Sequence, residues 1–112
     1  MLGTPNGRFL YVADDDASAV LRFNISGPGR LSDRMKFCDE GSDGMCFDDQ
    51  GNLYLTWKMG VQVYSPDGAK LGTIPTPVDP TDVCFGGPTR STLFITGGGK
   101  LLSVAMAVRG VE

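Results

Sequence analysis

The stretch Glu40-Gly41-Ser42-Asp43-Gly44-Met45-Cys46-Phe47-Asp48-Asp49-Gln50-Gly51-Asn52-Leu53-Tyr54-Leu55 sets two short apolar runs on either side of a polar turn. Met45-Cys46-Phe47 and Leu53-Tyr54-Leu55 are the runs. Asp48-Asp49-Gln50-Gly51 is the turn, because Asp and Gly supply the positive-φ positions that a hairpin requires. The order is therefore loop, strand, turn, strand. Asp43 stands where the loop enters the first strand.

The same pattern extends in both directions. Strands are expected over residues 8–13, 19–25 and 31–38, then over 45–47, 52–57, 60–64 and 70–74. Further strands are expected over 82–85, 92–96 and 100–108. Between them lie turn signals such as Pro5-Asn6-Gly7, Ser26-Gly27-Pro28-Gly29, Ser65-Pro66-Asp67-Gly68 and Gly97-Gly98-Gly99. In these Pro presets φ and Gly accepts a positive one. Sixteen Gly and seven Pro suit many turns. No window carries a sustained helical repeat with caps, so the fold class is all-β.

Self-similarity narrows the architecture. Phe9-Leu10-Tyr11-Val12-Ala13, Asn52-Leu53-Tyr54-Leu55-Thr56 and Thr92-Leu93-Phe94-Ile95-Thr96 superpose, and Met45-Cys46-Phe47 pairs with Val83-Cys84-Phe85. These recur roughly 40 residues apart, and a period of that length with four short strands is the pattern of a β-propeller blade. A β-sandwich has no reason to repeat its sequence at this period. The 112 residues are expected to hold two to three such blades, with the innermost strand of the first one missing before Pro5. A closed ring then needs further blades, from a longer chain or from other copies.

Composition excludes several functions. A net charge of −3 gives no basic stripe for nucleic acid. The absence of His removes imidazole-based zinc sites, triads and dyads. Cys38, Cys46 and Cys84 are odd in number, and the last two sit in apolar runs, as buried small hydrophobes do. There is no stretch of transmembrane length and no signal-peptide core, so a cytoplasmic location is expected. Asn24-Ile25-Ser26 is a chance glycosylation sequon on this reading.

Other candidates are weighed against plainer roles. Asp39 to Gln50 fails as an EF-hand, because Gln50 stands where the twelfth-position Glu belongs. Asp14-Asp15-Asp16 reads as a solvated loop. Gly97-Gly98-Gly99-Lys100 lacks phosphate-loop spacing. Trp57 reads as a packing aromatic.

Taken together, Ser42 to Tyr54 resembles the P-D-G-M-C-x-D-x-x-G-x-L-W/Y motif of the family that includes senescence marker protein (regucalcin), gluconolactonases and the luciferin-regenerating enzyme. Gly29-Arg30-Leu31-Ser32-Asp33-Arg34, Leu71-Gly72-Thr73-Ile74-Pro75, Asp82-Val83-Cys84-Phe85-Gly86-Gly87 and Thr92-Leu93-Phe94-Ile95-Thr96 resemble further family motifs, in the family's order. The resemblance implies the C-terminal two to three blades of a six-bladed propeller. It implies a hydrolase of sugar lactones with one divalent cation, Ca²⁺ foremost and Zn²⁺ second. It also implies that Asp43 is a metal ligand and the general base that takes a proton from water. Asn6 copies a family metal motif but begins a turn too close to Leu10-Tyr11-Val12-Ala13-Asp14, so it is set aside. The remaining ligands are then expected outside this chain. The competing expectation is a non-catalytic propeller scaffold.

Overall fold

The computed structural model describes residues 1–14 and 16–111, and Asp15 of the acidic run lies outside them. Its described residues form no helix, and eleven strands follow one another in chain order. No helix is therefore long and apolar enough to cross a membrane. The all-β expectation holds. The strands group into two compact units, Met1–Ser42 and Asp43–Glu112.

The first unit is one antiparallel meander of β1 (Leu2–Gly3), β2 (Phe9–Asp14), β3 (Ala19–Gly27) and β4 (Arg30–Cys38). β1 corrects an expectation. The inner strand thought to be missing is present in abbreviated form, with Leu2 opposite Tyr11 and Gly3 opposite Leu10. Two residues show no alternation, so only their pairing with β2 makes them a strand. Asn6 lies in the β1–β2 turn, where its Oδ1 accepts from Arg8 N at 2.9 Å and from Thr4 Oγ1 at 2.6 Å. That is a side chain folding a turn back on itself. β3 and β4 run through Ser26 and Gly27 to a tight turn at Pro28-Gly29, with Gly29 at φ 70°. Tyr11 and Phe37 are buried edge to face, 4.9 Å between ring centres.

The second unit holds two sheets. β5 (Met45–Phe47), β6 (Leu53–Thr56), β7 (Gly60–Tyr64) and β8 (Lys70–Pro75) form a four-stranded meander. β9 (Asp82–Gly86), β10 (Thr92–Gly97) and β11 (Lys100–Ala105) form a three-stranded one. Each is a meander of the kind a propeller blade uses. Alternation decides the faces. Tyr54 and Val61 point from one sheet and Val83, Leu93 and Ile95 from the other into a common core, flanked by Cys46, Val63, Phe85, Leu102 and Val104. Tyr54 and Phe85 meet edge to face at 5.2 Å. The last strand ends at Ala105, short of the expected 108. The chain beyond it turns back instead, and Asp49 N donates to Arg109 O at 2.7 Å while Gly110 bridges Asp48.

Candidate functional site

Asp43 lies immediately before β5, and its side chain is exposed. Its neighbour fixes it in place. Gly44 N donates to Thr56 Oγ1 at 2.9 Å, and Thr56 N donates back to Gly44 O at 3.1 Å. Thr56 is buried at the end of β6, so this reciprocal pair ties the entry of β5 to a rigid strand. Gly44 is required here by close approach rather than by φ. A Cβ on it would meet Asp82 Oδ1 and stand 2.7 Å from the Asp82 Cα. The start of β9 thus passes directly against the start of β5.

The β6–β7 turn lies at the same end, because Met45 pairs with Leu55 and Gly44 with Thr56. Trp57 is half-buried there, and Lys58 and Met59 are exposed. Lys58 Nζ stands 5.0 Å from the centre of the Trp57 ring, within the range of a cation–π contact. Lys58 and Met59 have φ of 41° and 59°, the left-handed conformation that side chains resist. Asp79 Oδ1 holds this turn by accepting from Met59 N at 2.8 Å. The exposed end of the unit therefore carries Asp43, Asp82, Lys58 and the edge of Trp57. Trp57 is half-buried and so not fully packed away.

The other acidic residues of the motif do different work. Asp48 is completely buried. Its Oδ1 accepts from Gln50 N at 2.9 Å and Asn52 N at 3.0 Å, and its Oδ2 from Asn52 Nδ2 at 2.9 Å and Tyr54 Oη at 3.0 Å. Four donors satisfy one buried carboxylate, as a buried charge needs. In the sequence alone Asp48 reads as an ordinary turn residue. The signal it carried is Tyr54 six positions on, whose hydroxyl needs a partner when its ring is buried. Burial, and then the charge and hydrogen bond of Asp48, push the Tyr54 hydroxyl pKa up. Burial likewise pushes the Cys46 thiol up to about 12, with Cys84, Asp82 and Asp48 adding to it. Cys46 is therefore a packing residue and not a nucleophile. Asp14 accepts from Ala17 N at 3.2 Å, as a loop residue does.

Do these residues fit a divalent cation? Among the described residues no three of His, Cys, Asp and Glu come together as a metal-holding group. Ca²⁺ takes about six to eight oxygen ligands. Asp43, with Asp82 across Gly44, does not make such a set. The described residues do not by themselves make a complete cation site.

Comparison with known proteins identifies the context. The family model described as the SMP-30/Gluconolactonase/LRE-like region matches residues 2–99. A pentonolactonase of Haloferax volcanii is 32% identical over 115 residues, which take in 88% of this chain and 39% of the relative. Regucalcin of Sus scrofa is 40% identical over 99 residues, 80% of this chain and 33% of the relative. The solved structure of a gluconolactonase from Xanthomonas campestris superposes with a TM-score of 0.82 at 34% identity, covering 92% of this chain and 35% of that one. The chain thus spans between a third and two fifths of the length of these proteins. The chain belongs to the SMP-30/gluconolactonase/LRE-like family.

Proposed function

We propose that residues 1–112 are the C-terminal two to three blades of a six-bladed, sugar-lactone-hydrolysing propeller, and that Asp43 is their contribution to its active site. The observation that supports this most is Asp43 itself. It is an exposed carboxylate on a backbone clamped to Thr56 and pressed against Asp82, in a chain of a family with lactonase members. A positioned carboxylate can accept the proton of a water that attacks a lactone carbonyl. The ring C–O bond then opens, and the leaving oxygen takes the proton back, giving the open-chain hydroxy acid.

Asp43 is also the residue of this chain that would hold a divalent cation, Ca²⁺ foremost and Zn²⁺ second. The other donors, and the blades that close the ring, come from outside residues 1–112. The substrate is a small cyclic ester, and nucleic acid is not a partner. The second reading, a non-catalytic scaffold or ligand-binding unit, draws on the missing donor set among the described residues.

Hydrolysis of gluconolactone and pentonolactones by the full-length protein separates the two. Activity that is lost on EDTA treatment and in Asp43→Ala supports the hydrolase. Rates unchanged by both favour the scaffold.

A further inference from the structure

The β6–β7 hairpin turns through two residues that its backbone disfavours. Trp57 N donates to Gly60 O at 3.0 Å, which leaves Lys58 and Met59 as a two-residue loop, with φ of 41° and 59°. A loop with two positive φ values is the place for Asn-Gly or Gly-Gly, and other side chains are strained there. The third sheet takes the less strained course. Its β10–β11 turn holds the same place in the repeat, with Gly97 opposite Lys100. Its two loop residues are Gly98 and Gly99, at φ of 54° and 75°.

The strained pair is held firmly. Met59 N donates to Asp79 Oδ1 at 2.8 Å, Met59 O accepts from Thr76 N at 3.0 Å, and Trp57 O accepts from Gln62 Nε2 at 3.0 Å. Strain over-determined in this way collects where side chains have a task. Two glycines would serve this backbone as well, so what the strain retains is the side chains.

Their place points to the task. Met45 lies opposite Leu55, and Gly44 is bonded to Thr56. One step further this register sets Asp43 opposite Trp57, as cross-strand neighbours. Lys58 Nζ stands 5.0 Å from the centre of the Trp57 ring, a contact that limits where its flexible ammonium goes. Among the described residues the ion pair present joins Lys36 to Asp39, and no carboxylate pairs with Lys58. A cation seated beside a carboxylate that meets substrate can take an opposite charge on that substrate.

We propose that Lys58 selects lactones that carry an anionic group, a carboxylate or a phosphate, away from the ester. This rests on the reading of Asp43 as part of the lactone site, because the Trp57–Lys58 turn then shares the access that Asp43 has to substrate. Lys58 gives the anion a charge-assisted hydrogen bond, and Trp57 steadies the ammonium. Neither takes part in the proton transfer.

Steady-state hydrolysis by the full-length protein tests it, with glucarolactone for the carboxylate, phosphogluconolactone for the phosphate and gluconolactone as the neutral reference. The kcat/KM of at least one anionic lactone is expected to exceed that of gluconolactone by about tenfold or more, the scale of a hydrogen bond to a charged group. Lys58→Gln should bring that ratio close to unity, chiefly through KM, and Lys58→Arg should keep most of it. Calorimetric binding of glucarate and phosphogluconate against gluconate gives a readout without turnover, since all three share the carboxylate that ring opening releases. The preference for the doubly acidic compound should vanish in Lys58→Gln. If no lactone is hydrolysed but this binding preference is present and needs Lys58, the hydrolase reading fails and the anion contact stands. Equal treatment of anionic and neutral compounds by the wild type overturns the proposal. So does a preference that survives Lys58→Gln, or one lost equally in Lys58→Arg.

Discussion

Removal of the Asp48 carboxylate is the sharpest test of how the β5–β6 turn is held. Its four donors are not equal. Gln50 N lies in an exposed turn and Asn52 is half-buried, so water can replace part of what they lose. Tyr54 is 3% exposed, so water replaces little of what its hydroxyl loses. A hydrogen bond to a charged group contributes about 1.5–3 kcal/mol, and a stranded buried donor costs about 1–3 kcal/mol. Asp48→Ala is therefore expected to destabilise the chain by about 3–4 kcal/mol. Tyr54→Phe leaves Asp48 with three donors and should cost about 1 kcal/mol. The two side chains share one bond, so the double variant should be less damaged than the sum of the singles by about 1.5 kcal/mol. Urea unfolding of the four proteins measures this. A cost below about 1 kcal/mol for Asp48→Ala, or strict additivity with Tyr54→Phe, would refute the view that this buried pair holds the turn.

Three further outcomes follow from the same geometry. Gly44→Ala forces a methyl group onto the Asp82 backbone, and a core that tight loses about 1–3 kcal/mol to overpacking; chemical denaturation should show it, while the same change at Gly72, where a Cβ meets nothing within 4 Å, should cost well under half as much. Met59→Gly relieves a positive φ at an exposed turn and should stabilise by about 0.5–1 kcal/mol; a loss of stability there would show that the Met59 side chain makes contacts that matter. Alkaline pH should destabilise the chain. Cys46 sits at about 12 in the folded protein against an ordinary 9.0, and Tyr54 is pushed above its ordinary 10.0, so the folded state keeps protons that the unfolded state releases. Their contribution is intact below pH 9 and is lost as pH rises through the folded values, at up to about 1.4 kcal/mol per pH unit for each group. Cys46→Ala should flatten the fall between pH 9 and 12 in urea midpoints measured across that range.

Much of this architecture was legible because it is local. Asp48-Asp49-Gln50-Gly51 and Ser65-Pro66-Asp67-Gly68 announce turns through their own φ preferences, and the repeat of Leu10, Leu53 and Leu93 carries the sheet period. What escaped was decided by tertiary pairing. Leu2–Gly3 is a strand only because β2 offers it an edge. The chain after Ala105 reads as more strand, but its backbone turns to meet Asp48 and Asp49. Asp48 looks as solvated as Asp49 in sequence, yet one is buried and the other exposed. Alternation alone could not say which. Asp43 was legible as a residue at the mouth of a strand, whereas the grip of Thr56 on Gly44 and the closeness of Asp82 needed three dimensions.

The role of Asp43 is the centre of the account, and Asp43→Asn measures it most directly. The side chain is exposed and the substitution nearly isosteric, so thermal unfolding should move by no more than about 0.5 kcal/mol. Initial rates of gluconolactone hydrolysis by the full-length protein should nonetheless fall by about 10²-fold or more, the scale on which a general base contributes. A variant that unfolds like the wild type and hydrolyses lactone at the wild-type rate would contradict the assignment.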